Sequence, residues 1–162
     1  MYKLYIEKNI SSDDLLKKVL DEHKIRDDII YNKYGKPYLK GNKLYFNISN
    51  CDNYTVLVIS SSEVGVDIEK ITFKERVIDK ICTDKEKKMI KTPEDFTIMW
   101  VKKESYVKYL GVGLAYGLKN VDTLKIKNFM LKKVDNYYIS IYLDKWWRFK
   151  KWIYFIVVIK TY

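Results

Sequence analysis

An α+β fold is what this sequence predicts, and three observations lead to it. Helical and strand periodicities follow one another in the order β-α-β-β-β-α-α-β-β-β, unlike the strict alternation of a parallel α/β sheet. Past Val121 the chain alternates throughout: Leu124/Ile126, Phe129/Leu131, Tyr138/Ser140/Tyr142, then Ile153 to Ile159. A helix-then-strand block also occurs twice in succession. That points to two related halves, residues 1–62 and 63–162, in one compact unit. The 162 residues suit one domain or two small packed halves, and 48% hydrophobic content is enough for a core.

Each element has its own signal. Tyr2, Leu4 and Ile6 alternate with Lys3 and Tyr5, which predicts an opening strand. Ser11 and Ser12 before Asp13 and Asp14 are N-cap residues. Leu15, Leu16, Val19 and Leu20 then keep helical spacing, and this helix is expected to end before the polar turn at Asn32–Gly35. Tyr34-Gly35-Lys36-Pro37-Tyr38 reads as a turn, since Pro fixes φ and Gly frees it. Leu44 to Ser49 and Tyr54 to Ser60 form a strand pair around Asn50–Asn53, and a further strand covers Val64–Glu69. From Ile71 the pattern turns helical. Thr83-Asp84-Lys85-Glu86 is a capping box, and Pro93 suits the first turn of a helix running to Leu110 and stopping at Gly111. Asp135-Asn136 predicts a hairpin turn.

Composition narrows the function. The 31 Lys+Arg against 21 Asp+Glu leave a net charge of +10, which favours an anionic partner: nucleic acid, an acidic protein or a phosphate-rich cofactor. Cys51 and Cys82 give neither a disulfide framework nor metal-ligand spacing and read as buried thiols. His23 is the single histidine, which argues against a His-based catalytic triad or a His-rich metal site. Lys3, Glu7 and Lys8 interrupt any signal-like run, and the apolar stretch Trp152–Ile159 is about half a membrane span. A soluble cytoplasmic protein is expected.

The chemistry concentrates in two stretches. In Gly65-Val66-Asp67-Ile68-Glu69, a strand places both carboxylates on one face, roughly 6–7 Å apart. In Trp100-Val101-Lys102-Lys103-Glu104-Ser105-Tyr106-Val107-Lys108, Glu104 and Lys108 are neighbours on one helix face. Three carboxylates offer hard oxygen donors for Mg²⁺, and Lys103 and Lys108 could hold phosphate oxygens beside it. Gly35-Lys36-Pro37 adds a rigid turn with a cation, while Ser49 and Asn50 add neutral donors. Each piece alone has a plainer reading: a solvated acidic face, a helix-surface ion pair, an ordinary turn, and, for Trp100, a core position rather than a stacking platform.

Set in order, these segments resemble a family. Tyr34-Gly35-Lys36-Pro37-Tyr38-Leu39, Phe46-Asn47-Ile48-Ser49, Val64-Gly65-Val66-Asp67-Ile68-Glu69, Trp100-x-x-Lys103-Glu104-Ser105-Tyr106-x-Lys108 and Gly111-x-Gly113-Leu114 resemble the 4′-phosphopantetheinyl transferases of the surfactin-synthetase-activating type. The resemblance covers about Tyr31 to Leu118. It implies two similar α/β halves related by a pseudo-twofold, with coenzyme A in the cleft between them. It also implies Mg²⁺-dependent transfer of phosphopantetheine from coenzyme A to a serine of an acidic apo acyl or peptidyl carrier protein, with release of adenosine 3′,5′-bisphosphate. The ion could equally be Mn²⁺, and a monomer without membrane attachment is expected.

Carried over by position, Asp67, Glu69 and Glu104 would ligate the metal, and Glu104 would assist deprotonation of the serine. Lys108 would contact the coenzyme A pyrophosphate as a second catalytic residue, with Lys103 near it. Gly35, Lys36 and Pro37 would line the nucleotide end, and Ser49 and Asn50 would lie by the 3′-phosphate. Glu86 matches a family glutamate, although the capping box explains it equally well. Asn50 stands where the family usually has a histidine, which implies weaker discrimination for the 3′-phosphate or compensation by Lys36. The segment before Gly35 is short for the family. The alternative is a non-catalytic module binding carrier proteins or nucleic acid, for which Lys145-Trp146-Trp147-Arg148-Phe149-Lys150-Lys151-Trp152 would supply basic and stacking groups.

Overall fold

A computed structural model describes residues 2–41, 44–144 and 156–160. The basic aromatic segment 145–152 and the start of the expected last strand, 153–155, lie outside the described residues.

The chain opens with β1 (Tyr2–Lys8) and α1 (Ser12–Glu22), followed by a short hairpin, β2 (Ile29–Tyr31) and β3 (Pro37–Leu39). Next come β4 (Tyr45–Cys51), β5 (Tyr54–Ser60) and β6 (Gly65–Lys70). Three helices follow, α2 (Glu75–Ile81), α3 (Asp84–Met89) and α4 (Pro93–Leu110). Two 3₁₀ turns, Leu114–Tyr116 and Leu118–Asn120, lead to β7 (Phe129–Val134), β8 (Tyr137–Tyr142) and β9 (Ile156–Lys160). The α+β class stands.

The strands form two main sheets, ordered β4-β5-β1-β9 and β6-β8-β7. All pairings are antiparallel except β1 with β9, so the last strand returns to extend the first sheet. Period-two alternation gives each strand two uses. Leu4, Ile6, Val56 and Val58 pack from the first sheet against Val66, Ile68, Ile139 and Ile141 of the second. Tyr5, Phe46, Leu57 and Ile59, on the first sheet's other face, take Leu15, Leu16, Val19 and Leu20 of α1. Covered on both faces, β5 is buried at every residue. Helix α4 covers the outer face of the second sheet, giving four layers: helix, sheet, sheet, helix.

Gly65 permits that last contact. A Cβ there would stand 1.9 Å from the Ser105 carbonyl oxygen, so any side chain would push α4 off β6. Further along the interface, the Ser105 and Ser140 hydroxyls satisfy each other at 2.9 Å.

Caps follow the sequence. Ser11 caps α1; Thr83–Glu86 and Thr92–Asp95 form complete capping boxes; Gly111 closes α4 at φ 66°. Asp135 and Asn136 turn the β7–β8 hairpin, and Trp100 packs with Phe96 rather than standing free. Helix α1 ends at Glu22, before the polar turn as expected, because the Lys24 amide bonds back to Asp21 and the Ile25 amide to Leu20, with Lys24 left-handed at φ 56°. A lysine fills the position a glycine usually marks. Two expectations need correction. The stretch from Ile71 is extended rather than helical, since its amide pairs with Asn136 and that of Thr72 with the Thr97 hydroxyl. Leu124 and Ile126 sit in a turn, not a strand: Asp122 accepts the Leu124 amide on its side chain and the Lys125 and Ile126 amides on its carbonyl. Of the two free thiols, Cys82 is buried and Cys51 only half-buried.

Candidate active site

Strand β6 and helix α4 bring the acids together. Asp67 and Glu69 lie on the β6 face towards α4, because Asp67 pairs with Ser140, whose hydroxyl touches Ser105 of that helix. Helix α4 supplies Glu104 and Lys108, one turn apart on one face. Strand β4 supplies Ser49 at its edge. Asn47, two residues earlier on the same face, accepts the Val66 amide at 2.8 Å and so ties β4 to β6.

Asp67 is the centre of this group. Its Oδ1 accepts from the Lys108 ammonium at 2.6 Å and from the Ser49 hydroxyl at 2.8 Å. The same ammonium donates to Ser49 Oγ at 2.7 Å. Asp67 Oδ2 is buried and has no hydrogen-bond partner among the described residues. Burial raises the Asp67 pKa despite Lys108 and Ser49, which favour the charged form. Burial also raises Glu69, aided by the Asp67 charge and opposed by Lys74, Lys108 and Trp100. Glu104 is pushed up to about 7, by burial first and by Asp67 second, with Lys108 opposing and Glu69 adding to the rise. The Glu104 carboxylate has no hydrogen bond or ion pair among the described residues, although its backbone belongs to α4.

Three half-buried or buried carboxylates thus repel one another around Lys108, with Lys74 acting on Glu69 as well. An orphaned, buried carboxylate oxygen within such a group fits a cation. Hard oxygen donors without Cys or His select Mg²⁺ or Mn²⁺ over softer ions. Among the described residues, no three such donors are yet drawn together closely enough to hold an ion, and Lys108 is the charge that now compensates Asp67.

A cleft of about 290 Å³ opens beside the acids. The Tyr34–Pro37 turn forms one wall, Asn47 and Ile48 the floor, and Glu104 and Lys108 the other wall. Gly35, at φ 83°, gives the turn its shape. The expected Gly35, Lys36 and Pro37 therefore meet Glu104 and Lys108 here. The Lys36 ammonium itself points elsewhere, donating to Glu63 at 2.7 Å and to the Tyr109 carbonyl at 2.9 Å.

Two expected residues are not brought to this group. Lys103 is fully buried, and its ammonium donates to Glu86 at 2.8 Å, to the Leu118 carbonyl at 3.2 Å and to the Val121 carbonyl. With three donors and three acceptors it has nothing left for a phosphate, so the expected contact is corrected to a structural role. Asn50 follows Ser49 on an alternating strand and so points away from it. It is exposed and lines a different depression, with Asn9 to Ser12.

Glu86 settles the ambiguity noted for it: the capping box is real, and so is a buried ion pair with Lys103. Two residues outside the expected set, Asn32 and Asn47, tie these elements together. Asn32, at the head of the Gly35 turn, carries the usual signal of an Asx turn. Asn47 was visible as a polar residue in an otherwise apolar strand.

Known proteins share sequence with this chain. The model of the 4′-phosphopantetheinyl transferase superfamily matches residues 63–155. The 4′-phosphopantetheinyl transferase gsp of Aneurinibacillus migulanus is 33% identical over 90 residues, covering 51% of this chain and 38% of that protein. The 4′-phosphopantetheinyl transferase of Bacillus subtilis is 31% identical over 121 residues, covering 68% and 50%. The L-aminoadipate-semialdehyde dehydrogenase-phosphopantetheinyl transferase of Candida glabrata is 29% identical over 111 residues, covering 59% and 43%. The chain spans half or less of the length of these curated relatives. With more than half of its residues matched by the family model, the chain belongs to the 4′-phosphopantetheinyl transferase superfamily.

Proposed function

We propose that this protein transfers the 4′-phosphopantetheine group of coenzyme A to a serine of an apo carrier protein and releases adenosine 3′,5′-bisphosphate. The observation that carries this reading is the buried, unpartnered Oδ2 of Asp67, beside Glu69 and Glu104 and next to a cleft. Asp67, Glu69 and Glu104 would hold Mg²⁺ or Mn²⁺. When bound, the ion neutralises the acids and offsets charge on a pyrophosphate.

The chain's own residues do the rest. Glu104, on the cleft wall, would assist deprotonation of the incoming hydroxyl, directly or through water. The serine oxygen bonds to the pantetheine-side phosphorus; the bond from that phosphorus to the bridging oxygen breaks, and the oxygen leaves with the electron pair as part of adenosine 3′,5′-bisphosphate. The serine proton passes to Glu104. Lys108, at the cleft wall, balances the charge gathering on the leaving phosphate. Ser49 orients Lys108 through its hydroxyl. Residues 1–62 and 63–162 would each contribute a wall of the cleft. The nucleophile belongs to the partner, so an activated serine or cysteine on this chain is not required. A net charge of +10 suits an acidic carrier.

Among the described residues, no helix is long and apolar enough to cross a membrane. Two free cysteines accord with a reducing compartment, and we assign the protein to the cytoplasm, acting as a monomer.

Mass spectrometry of apo carrier proteins incubated with coenzyme A, Mg²⁺ and the protein tests the reading. Carriers should gain one phosphopantetheine group. No gain across fatty-acid, polyketide and peptide-synthesis carriers would sink it.

A further inference from the structure

The two walls of the cleft come from separate parts of the chain, so their spacing needs a device that joins them. One wall is the turn at residues 34–37; the other is α4. The last carbonyls of a helix lack intrahelical partners. Here the turn's own side chains satisfy them. The Asn32 amide nitrogen donates to the Gly111 carbonyl at 2.8 Å, and the Lys36 ammonium donates to the Tyr109 carbonyl at 2.9 Å. At its other end, Asn32 Oδ1 accepts the Tyr34 amide at 2.9 Å and the Lys36 amide at 3.0 Å. One side chain therefore holds the shape of the turn and fastens it to the helix.

The close approach is built in at Gly111. A Cβ there would stand 2.9 Å from Lys36 Cδ and 3.0 Å from Asn32 Nδ2. Gly111 also takes the left-handed φ that closes α4. The helix end is thus shaped both to stop the helix and to receive the turn.

We propose that Asn32 is a positioning residue for this cleft: it latches the 34–37 turn to the C-terminus of α4 and so sets the distance between the turn and the helix carrying Glu104 and Lys108. The proposal rests on the transferase reading, in which coenzyme A occupies the cleft. Lys36 then acts as the second arm of the latch rather than as a phosphate ligand. Asn32 touches no reacting atom and acts through the wall it holds.

The test compares Asn32→Ala and Asn32→Asp with the unaltered protein. Calorimetry gives the coenzyme A Kd, and steady-state kinetics give kcat and both KM values. Aspartate keeps the two acceptor bonds to the turn amides but replaces the donor to Gly111 with a charged oxygen, while alanine removes that donor without adding charge, so a loss common to both variants reports the latch rather than repulsion of the anionic ligand. Both variants should raise the coenzyme A Kd and KM by roughly tenfold or more, with kcat and the carrier KM within about twofold. An Asn32→Asp variant that binds coenzyme A like the unaltered protein would overturn the latch. So would a loss of apparent kcat with both KM values unchanged, or unfolding of both variants, since either makes Asn32 a general stability residue. Failure of the unaltered protein to bind coenzyme A would instead overturn the transferase reading, and the positioning role with it.

Discussion

Helix α4 carries two lysine–carboxylate centres five residues apart, and they are built to opposite rules. At Lys103 every group is satisfied. Glu86 accepts four hydrogen bonds, from the Thr83 amide, the Lys103 ammonium, and the Thr123 amide and hydroxyl, each at 2.8 Å. Burial alone would raise the Glu86 pKa, but these bonds hold it below the usual carboxylate range. At Lys108 three acids gather and only Asp67 is ion-paired with it; Asp67 has a bare buried oxygen, and Glu104 is driven up to about 7. A buried pair whose partners are all in place holds a fold together. A buried group left short of partners stores affinity for whatever completes it.

The two centres should therefore respond differently to substitution. The largest stability effect is expected at Lys103→Ala, which strands Glu86 uncompensated: a loss of about 3–5 kcal/mol in urea unfolding. Asp67→Asn should instead lower transfer by about 10²–10³-fold, or roughly 2.7–4 kcal/mol of barrier, while the unfolding midpoint holds or rises. A variant that unfolds as Lys103→Ala does would erase the distinction between the centres. Thr123→Val removes one of the four bonds to Glu86 and should lower stability by about 1.5–3 kcal/mol with kcat unchanged.

The smallest effect belongs to Glu104→Gln in metal-free protein. Because folding raises the Glu104 pKa, its ionisation opposes folding. The penalty is absent below the unfolded value of about 4.5, grows as pH rises, and is complete above about 7. Glutamine removes it. The variant should gain on the order of 1 kcal/mol at about pH 8, after allowance for solvent screening, and nothing at about pH 4. Thermal melts at both pH values check this, and saturating Mg²⁺ should narrow the difference at the higher pH.

What the sequence made legible was local. Thr83, Thr92, Pro93 and Gly111 announced the ends of α3 and α4 because caps depend on side chains within one turn. Strand and helix periods put Asp67 with Glu69 and Glu104 with Lys108, while only the family resemblance joined the two pairs into one site. The misplacements have one physical origin. Lys103 was grouped with Glu104, and Asn50 with Ser49, because each pair is adjacent in the chain. Adjacent residues are about 100° apart around a helix and on opposite faces of a strand. The signal was present in the periods themselves. The partners of Lys103, Glu86 and the carbonyls of Leu118 and Val121, come from 15 to 18 residues away, and no local pattern names them. The Asn32 latch spans 79 residues and was hidden for the same reason.

Calorimetric titration of Mg²⁺ into the unaltered protein and into Asp67→Asn tests most directly whether the unsatisfied centre is a cation site. The unaltered protein should bind one ion, and Asp67→Asn should lose that binding while keeping its fold. Equal binding by both proteins, or none by the unaltered protein in the presence of coenzyme A, would contradict the account.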